Sequence, residues 1–447
     1  MLVGAFAASP SWAFTGRFTA PVRLPTRDQT WQFAVNDRGQ AVGAYGTRAG
    51  AVVAELARSG RIEHSWTVGV PAHVGGVYAT IALDDRGEVA VAVSYEDGQS
   101  EGCCRHIAVA AWRLGKRPPE AQAVSPALSP AEFSDQPEEP SVVVADGILT
   151  AVWQRGGDAI SQYEEDELQP GQIEEAFGRF GGPFHTVRLV AARKGPSLLN
   201  LHLAPDGRPV ASWLQDRDVV GLAGGRPAGA SRPAVHLRRV RKLRDGVGFT
   251  NDGAGDTLFA YLSGPEGTAQ RLMLTGFTAA GRFLRPRRIM SVPAFGYGVE
   301  VFAGGRRFVL AVWSVEDSSA LRTRIYARRG SVFGRFGRRL IVDDGAEHLI
   351  ETVGLIDSHR RSLLINRGDV AHHPNEFDLV AFTARPARPF SRARRIAPSL
   401  HNCGLQGSGE LDLEPIASSP NGAAVFYLTC EEGSGQEGSQ YLIRYMP

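Results

Sequence analysis

The sequence has none of the short motifs that mark common enzyme classes. There is no G-x-S-x-G, no H-E-x-x-H, no phosphate-binding P-loop and no dinucleotide fingerprint. Helical periodicity is almost absent, and the one helix-friendly stretch, Tyr163 to Phe177, reads as an inserted loop. No stretch approaches the roughly 20 apolar residues of a membrane-spanning helix. The sequence therefore assigns no catalytic residue, leaves it open whether the protein is an enzyme, and favours a non-enzymatic protein without a transmembrane segment.

An excess of one charge is also missing. The 49 basic and 47 acidic residues leave a formal net charge of +2, so the overall field gives no reason to expect a nucleic acid partner. Lysine is scarce, and arginine supplies most of the basic residues. Abundant glycine (52) with 21% charged residues is typical of a globular chain rather than a disordered one.

Cysteine is limited to four residues, none in the C-x-x-C spacing of a zinc site. Cys403 and Cys430 fall in the same C-terminal unit, and we expect them to form a disulfide. Cys103 and Cys104 are adjacent, so they form either a strained vicinal disulfide or two separate thiols. Such cysteine usage suits an oxidising compartment.

The first 13 residues resemble the end of a secretory signal peptide. Leu2 to Ala8 form a short apolar run, and small residues at Ser11 and Ala13 precede a possible cleavage before Phe14. An ordinary terminus is the alternative. We expect residues 14–447 to be one domain, secreted or associated with the cell envelope.

One pattern recurs along the chain: a short strand, a turn containing Asp, Asn or Gly, and a second strand ending in an aromatic residue. Copies begin at Phe33, Ile81, Ser141, Leu201, Gly248 and Val299, and two degraded copies begin at Val353 and Glu414. In four copies the turn glycine precedes the aromatic by six residues: Gly39 to Tyr45, Gly147 to Trp153, Gly207 to Trp213, and Gly255 to Tyr261. Because side chains alternate along a strand, this fixed spacing brings each aromatic to the same place in its unit.

A second, more basic pair of strands follows each hairpin, giving four-stranded units of propeller-blade length. These features predict an all-β fold, a β-propeller of eight blades, or of seven if one degraded copy is not a blade. The last unit supplies only three strands, and "TGRFTAPVRLPT" from Thr15 reads as its missing strand. Completing the last blade in this way closes the ring and removes an open sheet edge.

The repeat resembles those of exported β-propeller proteins of high-GC bacteria and, at the level of fold, the sialidase superfamily. Sialidases carry Asp boxes of the type S-x-D-x-G-x-x-W, and the copies here do not match that spacing. The WD dipeptide of WD40 repeats is also absent from them. The resemblance therefore implies a fold and transfers no catalytic residue.

Acidic and basic residues are concentrated in different sets of loops. Loops that follow the repeated aromatics are acidic, whereas loops opening on the other face are rich in arginine, which predicts a protein with two oppositely charged faces. Solvated charge that keeps a large β surface soluble is the simplest interpretation. The alternative is an acidic mouth that collects Ca²⁺ or cationic ligands, with an arginine belt for an anionic polymer or a membrane. Ligand-binding candidates are Asp97, Asp216, Asp218, Glu316, Asp317, Trp153, Trp213 and Trp313.

The aromatic residues have two interpretations. Packing between blades is expected of aromatics at a fixed spacing, and a ring of sugar-stacking platforms is the alternative. The segment "DVAHHPNEFD" gathers Asp369, His372, His373, Glu376 and Asp378, which predicts a solvated loop or, alternatively, a metal site. No cofactor is expected apart from a possible Ca²⁺.

These observations favour a non-catalytic module that binds a protein or glycan through its acidic loops, as a monomer. A glycan-active hydrolase with a degenerate sialidase-like propeller is the main alternative. A scaffold part of a cell-envelope complex that uses the arginine-rich face is a third hypothesis.

Overall fold

The computed structural model describes most of the chain. The described residues are 16–26, 30–71, 78–96, 105–125, 137–156, 171–192, 196–216, 218–224, 234–241, 245–252, 254–265, 268–292, 296–305, 307–317, 322–346, 352–370, 373–386, 388–396, 403–405, 416–419, 421–430 and 439–447. Within these ranges every regular element is a β-strand, and there is no helix with the length and hydropathy needed to cross a membrane. Asp97, Cys103 and Cys104 lie outside them.

The strands form eight antiparallel sheets, as the repeat predicts, and each sheet is one propeller blade. Within a blade the strands are called A, B, C and D in chain order. The first two strands of the chain are β1 (Arg17–Phe18) and β2 (Val22–Arg23), which belong to the last blade. The strands of blades 1 to 4 are as follows: β3 (Gln32–Val35), β4 (Ala41–Thr47), β5 (Gly50–Leu56) and β6 (Ile62–Gly69); β7 (Tyr78–Leu83), β8 (Glu88–Glu96), β9 (Arg105–Arg113) and β10 (Gln122–Ala123); β11 (Pro137–Ala145), β12 (Ile148–Gly156), β13 (Gly171–Arg179) and β14 (Phe184–Ala192); β15 (Ser197–Leu203), β16 (Pro209–Gln215), β17 (Val219–Gly224) and β18 (Ala234–Arg239).

The second half of the chain repeats this plan. The strands of blades 5 to 8 are as follows: β19 (Asp245–Asn251), β20 (Thr257–Ser263), β21 (Gln270–Phe277) and β22 (Phe283–Val292); β23 (Gly296–Gly304), β24 (Phe308–Asp317), β25 (Arg322–Ser331) and β26 (Leu340–Ala346); β27 (Thr352–Ile356), β28 (Ser362–Val370), β29 (His373–Ala384) and β30 (Arg394–Arg395); β31 (Cys403–Leu405), β32 (Ile416–Ser418), β33 (Ala424–Cys430) and β34 (Ser439–Met446). Blade 8 departs from labelling in chain order: β31 and β32 both pair with β33 and together form strand A, so β33 is strand B, β34 is strand C, and β1 and β2 form strand D. The two degraded copies are therefore blades 7 and 8, and the ring has eight blades.

The hydrophobic core lies between blades rather than within one. Each neighbouring pair of blades shares one cluster of buried apolar side chains, and the cluster between blades 8 and 1 joins Val425 and Leu442 to Ala41 and Leu56. A strands of successive blades contact one another around the centre. A single blade has apolar residues on both faces of its sheet, so it is stable only between two neighbours.

The repeated aromatics pack into these clusters. Trp153, Trp213 and Tyr261 are 0–1% exposed and pack against the preceding blade. Across the sheet from Trp213 stands Gly221, where a Cβ atom would lie 2.1 Å from the indole ring. The missing side chain makes room for the tryptophan, so the aromatic and the glycine form one packing unit.

One sequence interpretation is wrong. The stretch from Tyr163 to Phe177 reads as an insertion with helical tendency, but Gly171–Arg179 is strand C of blade 3. Glu174 and Glu175 are buried there, and Glu174 accepts a hydrogen bond from Trp153 Nε1 at 2.9 Å. Tertiary contacts across the blade thus outweigh the local helical preference of the glutamates.

The N-terminal segment closes the ring. Strands β1 and β2 pair with β34, with Phe18 opposite Tyr445 and Val22 opposite Leu442. The side chain of Arg444, 1% exposed, adds a second link. Its guanidinium donates to the carbonyl oxygens of Gly39 and Ala57 in two turns of blade 1.

Replacing Arg444 should weaken this closure. Arg444→Met leaves two carbonyls without their donor, so we expect the free energy of unfolding to fall by about 2–4 kcal/mol. The free energy of unfolding of Arg444→Lys should lie between those of the wild type and Arg444→Met, because one ammonium cannot reproduce the planar fork of the guanidinium. Urea denaturation measures the free energy of unfolding of both variants. The control is Arg61→Met, an exposed position in the blade 1 turn that contains Ala57. An unchanged Arg444→Met midpoint would exclude a clamping role.

The predicted disulfide fits the backbone of blade 8. Cys403 and Cys430 are direct partners in the antiparallel register of β31 and β33. Directly opposite residues have Cα atoms about 4.5–5.5 Å apart, within the range that a disulfide spans. The bond itself stays a prediction.

Intact-mass analysis and non-reducing peptide mapping test it. We expect a 403–430 cross-linked peptide from protein folded under oxidising conditions. Reduction should lower the unfolding midpoint of the wild-type protein more than that of Cys403→Ser/Cys430→Ser. Two free thiols at these positions after oxidative folding would refute the pairing.

Candidate functional site

The blade geometry defines two faces. The acidic face carries the B–C and D–A loops, and the arginine face carries the A–B and C–D turns. On the acidic face, much of the chain between strands lies outside the described residues. The turns of the arginine face lie within the described residues in nearly every blade.

The carboxylate candidates belong to the acidic face. Asp216 and Asp218 flank the B–C turn of blade 4, and Asp216 has a left-handed φ of 50°, which Asp tolerates better than most residues. Asp218 Oδ1 lies 3.4 Å from Arg239 Nε. Glu316 and Asp317 end strand B of blade 6, so their backbone reaches the same face.

The tryptophan candidates serve packing. Trp153, Trp213 and Trp313 are 0–3% exposed. The indole of Trp213 donates to Gln215 Oε1 at 2.7 Å, and Trp313 stacks on Tyr326. Buried rings offer no open face to a sugar, so the ligand-binding candidates narrow to the carboxylates.

Part of the predicted metal-binding segment lies within the described residues. Asp369, His373, Glu376 and Asp378 belong to the B–C hairpin of blade 7, and His372 lies outside the described residues. Across the ranges that the structure describes, no group of three His, Cys, Asp or Glu side chains converges as a metal site.

The A–B turns of four blades share one polar design. The first residue of each turn accepts N–H bonds from the residues two and four positions later through Oδ1, at 2.7–3.1 Å. These first residues are Asn36, Asp84, Asp252 and Asp357. Such Asx turns fix the hairpin tightly, because the side chain replaces a backbone acceptor.

Blade 5 adds a second buried carboxylate to this design. Asp252 is 5% exposed and Asp256 is fully buried. Asp256 Oδ1 accepts from the Ala279 N–H at 3.0 Å, and Arg307 Nε of blade 6 lies 3.0 Å from Oδ2. Burial, reinforced by the negative charge of Asp256, raises the pKa of Asp252 to about 6. A carboxyl in such a setting is the type that functional sites use.

A histidine packs beside this turn from the preceding blade. His202 Nε2 lies 3.4 Å from the Thr257 hydroxyl, and burial lowers the pKa of His202 to about 4. The imidazole is therefore neutral at neutral pH. The turn thus combines a neutral histidine, two carboxyl groups and one arginine.

An open pocket of about 490 Å³ lies over Asp256, between blades 5 and 6. It is lined by Asp256, Thr278, Ala279, Ala280, Arg282, Arg307 and Phe333. The guanidinium of Arg307 lies 4.8 Å from the centre of the Phe333 ring, which is 45% exposed. Two guanidinium groups at the mouth of a pocket suit an anionic group better than a cation.

Arg307 also occupies an unusual backbone position. In blades 1, 2, 4, 5 and 8 the same turn position is glycine, with φ between 70° and 88°: Gly39, Gly87, Gly207, Gly255 and Gly422. Blades 6 and 7 have Arg307 (φ 69°) and Arg360 (φ 63°) instead. A left-handed conformation costs a residue other than glycine about 1–2 kcal/mol.

Both strained arginines lie over an aromatic ring, Arg307 over Phe333 and Arg360 over Phe308. The repeat pattern did not identify them because it follows the turn glycine and the aromatic residue. The copy from Val299, with Arg307, reads as regular, and the copy from Val353, with Arg360, reads as degraded. Aligning the turns shows the signal: "NDRGQ" and "APDGR" have glycine where "GGRRF" and "DSHRR" have arginine.

Comparison with known proteins shows a likeness in fold alone. No protein-family model and no curated protein matches the chain, so the sialidase resemblance gains no family support. Apo prolyl oligopeptidase B from Galerina marginata aligns with a TM-score of 0.43 at 11% identity, over 94% of this chain and 56% of that one. Puromycin hydrolase aligns with a TM-score of 0.38 at 16% identity, over 78% and 50%.

A third solved structure aligns with the present chain over almost its whole length. A variant of an α-L-arabinofuranosidase from Fusarium graminearum, in complex with an iminosugar inhibitor, aligns with a TM-score of 0.38 at 11% identity, over 82% of this chain and 98% of that one. The present chain spans about half the length of the prolyl oligopeptidase and the puromycin hydrolase. Likeness at this level assigns no activity.

The raised pKa of Asp252 predicts a pH-dependent stability. A carboxyl that binds its proton more tightly in the folded state favours folding below about pH 4, and this contribution is lost as the pH rises through 6. Asp252→Asn keeps the turn acceptor, as Asn36 does in blade 1, and cannot ionise. At pH 8 we expect the variant to be more stable by on the order of 2 kcal/mol, with the difference vanishing near pH 4.

Urea denaturation of both proteins across that pH range measures the effect. Asp206→Asn, at an exposed site in the blade 4 turn, controls for the loss of one negative charge. A stability difference between Asp252→Asn and wild type that stays constant with pH would contradict the assignment.

Proposed function

We propose that this β-propeller is a non-catalytic binding module that works outside the cytoplasm and takes a protein or glycan ligand on its acidic face. The observation that carries the proposal is the sorting of charge: carboxylates follow the B strands, and arginines populate the opposite turns. Loops on a rigid scaffold are the usual place for recognition. Asp216 and Asp218 are the described carboxylates at which we place the contact.

The use of the buried carboxylates supports binding over catalysis. Glu88 accepts the N–H of Gly147 in the next blade at 2.6 Å, and Glu55 accepts that of Gly115 at 2.7 Å. Asp357 is bound by Arg361 at 2.5 Å. Glu55 and Glu88 each join two neighbouring blades, and Asp357 braces its own A–B turn, so all three carboxylates have a structural task.

A glycan-active hydrolase is the second candidate, favoured by Asp252 and Asp256. Two carboxyl groups whose environments differ are the arrangement that acid–base catalysis uses. In this protein both are buried, and Asp252 Oδ1 already accepts two turn N–H groups. Hydrolysis at this site would require the turn to open.

A glycan array probed with and without Ca²⁺, followed by turnover assays on every bound sugar, separates the two functions. We expect binding without hydrolysis. Affinity should fall about tenfold in Asp216→Asn/Asp218→Asn, because charge contacts at half-exposed positions contribute modestly. Affinity should be retained in the control Asp206→Asn, whose carboxylate lies in an A–B turn of the other face.

Hydrolysis that is lost in Asp252→Asn would establish the enzyme instead. Binding that is indifferent to both Asp216 and Asp218 would contradict the location on the acidic face. A blank array would direct the same variants to protein ligands from envelope extracts.

A further inference from the structure

In three successive blades, arginine is the one charged residue type in the segments around the C–D turns. Residues 278–292, 326–342 and 379–396 comprise the C–D turns of blades 5, 6 and 7 with the strand residues next to them, and they contain fourteen arginines without one Lys, Asp or Glu. The nearest carboxylates along these strands are Asp343, just after the second segment, and Asp378, just before the third. We call these three segments with Arg307 and Arg360 the arginine sector. A chain with a net charge of +2 has thus concentrated positive charge in one part of its ring.

Some of these arginines build the surface itself. Arg287 Nη1 donates to the Val332 carbonyl at 2.5 Å, and Arg328 Nη1 donates to the Ile289 carbonyl at 2.6 Å, so blades 5 and 6 are joined in both directions. Arg329 Nη1 donates to the Arg385 carbonyl at 2.5 Å and joins blade 6 to blade 7. The three turns therefore form one rigid surface.

Other arginines of the sector are exposed and have no carboxylate partner among the described residues. They are Arg282, Arg285, Arg288, Arg335, Arg338, Arg339, Arg385, Arg388, Arg392 and Arg394. Solubility alone would be served by mixed charges. Like charges held close together on a rigid surface repel one another, so this arrangement costs stability unless an anion neutralises it.

The two strained backbone positions lie in the same part of the ring. Arg307 and Arg360 stand where five other turns have glycine. Arg307 lines the pocket, and its carbonyl accepts the N–H of Val332 in the C–D turn of blade 6, while Arg360 of blade 7 lies over Phe308 of blade 6. Backbone strain of this kind is retained where a side chain has a task that glycine cannot perform. Two such replacements in neighbouring blades point to a shared task.

We propose that the arginine sector binds an anionic polysaccharide, a chain with carboxylate or sulfate groups on successive sugars, and that the pocket at Arg282 and Arg307 takes one of its acidic groups. The spread of charge over three blades suits a chain rather than a single small anion. Guanidinium groups bind carboxylate and sulfate oxygens through two parallel N–H donors. This function goes beyond the acidic face and lies on the opposite side of the ring.

The aromatic side chains favour a saccharide chain over a nucleic acid. Proteins that hold single strands offer open aromatic rings to the bases. In the sector, guanidinium groups already cover Phe308, Tyr326 and Phe390, at 4.0, 4.6 and 5.5 Å. Among the described residues of the sector, Phe333 is the exposed ring, and Arg307 lies over it as well; Ile341 is an exposed aliphatic residue. These two residues give neither a stacking path for bases nor an apolar patch large enough to enter a membrane.

Binding to immobilised probes tests the proposal with the full chain. The probes are heparin, polygalacturonate, neutral dextran, a single-stranded DNA oligomer and vesicles containing phosphatidylserine. We expect heparin or polygalacturonate to bind most tightly, with affinity that falls as salt is raised, and dextran not to bind. Tighter binding to DNA or to vesicles than to both polysaccharides would overturn the assignment.

Matched variants locate the site. Arg282→Gln/Arg285→Gln/Arg335→Gln/Arg338→Gln should weaken polysaccharide binding roughly tenfold or more. The control Arg48→Gln/Arg117→Gln/Arg179→Gln/Arg241→Gln removes the same charge from exposed positions in blades 1 to 4 and should retain most of the affinity. Equal losses in both sets would mean non-specific attraction and refute the site. Asp216→Asn/Asp218→Asn should leave this binding intact, which separates it from the ligand of the acidic face.

Substitutions of Arg360, at its strained left-handed backbone position, test binding and stability separately. Arg360→Gly and Arg360→Ala both lose the guanidinium, but only glycine relieves the left-handed backbone. We therefore expect both to bind polysaccharide more weakly by a few fold, with the glycine variant unfolding at a higher urea concentration than the alanine variant and no lower than wild type. A glycine variant that binds like wild type would refute a binding role for Arg360, and one that is the least stable of the three would refute backbone strain at this position.

Discussion

Closure of the ring is the constraint on which the rest of the structure depends. Each blade buries apolar side chains on both faces of its sheet, and each face is covered only by a neighbouring blade. An open row of blades would leave two uncovered faces and unpaired strand edges. The N-terminal strands paired with β34, and the buried guanidinium of Arg444 bonded into blade 1, convert that row into a circle.

A closed circle fixes where chemistry can be placed. The strands and interblade clusters are occupied by packing, so variation is left to the turns on two faces. The A–B turn shows how narrow that freedom is. Its left-handed position suits glycine, and an Asx turn at its first residue locks it. Arg307 and Arg360 keep the geometry of this turn while adding a cation, at a cost in backbone energy.

Much of the fold was predictable because it depends on local, repeated signals. The six-residue spacing from turn glycine to aromatic placed Trp153 and Trp213 in the clusters between blades, and the final three-stranded unit predicted the N-terminal completion. Contacts between distant segments were not predictable. The acceptors of Arg444 are 387 and 405 residues away in sequence, and no local pattern identifies a buried arginine. Glu174 and Glu175 suggested a helix locally, yet they lie in a strand because Trp153 and the blade sheet hold them there.

The site was predictable only in its charge. Counting residues by loop separated acidic from basic segments, since loop order alone decides which face a segment reaches in a propeller. The count could not reveal that Arg287, Arg328 and Arg329 are used to join blades while Arg282 and Arg335 stay open to solvent. That distinction depends on which carbonyl groups lie within reach of each guanidinium. It matters for function, because arginines bonded to carbonyls hold the turns in place and leave the exposed ones in a fixed array. A preorganised array binds an extended anion with less ordering cost than arginines on a mobile tail, so the arginines that join blades contribute to recognition without touching the ligand.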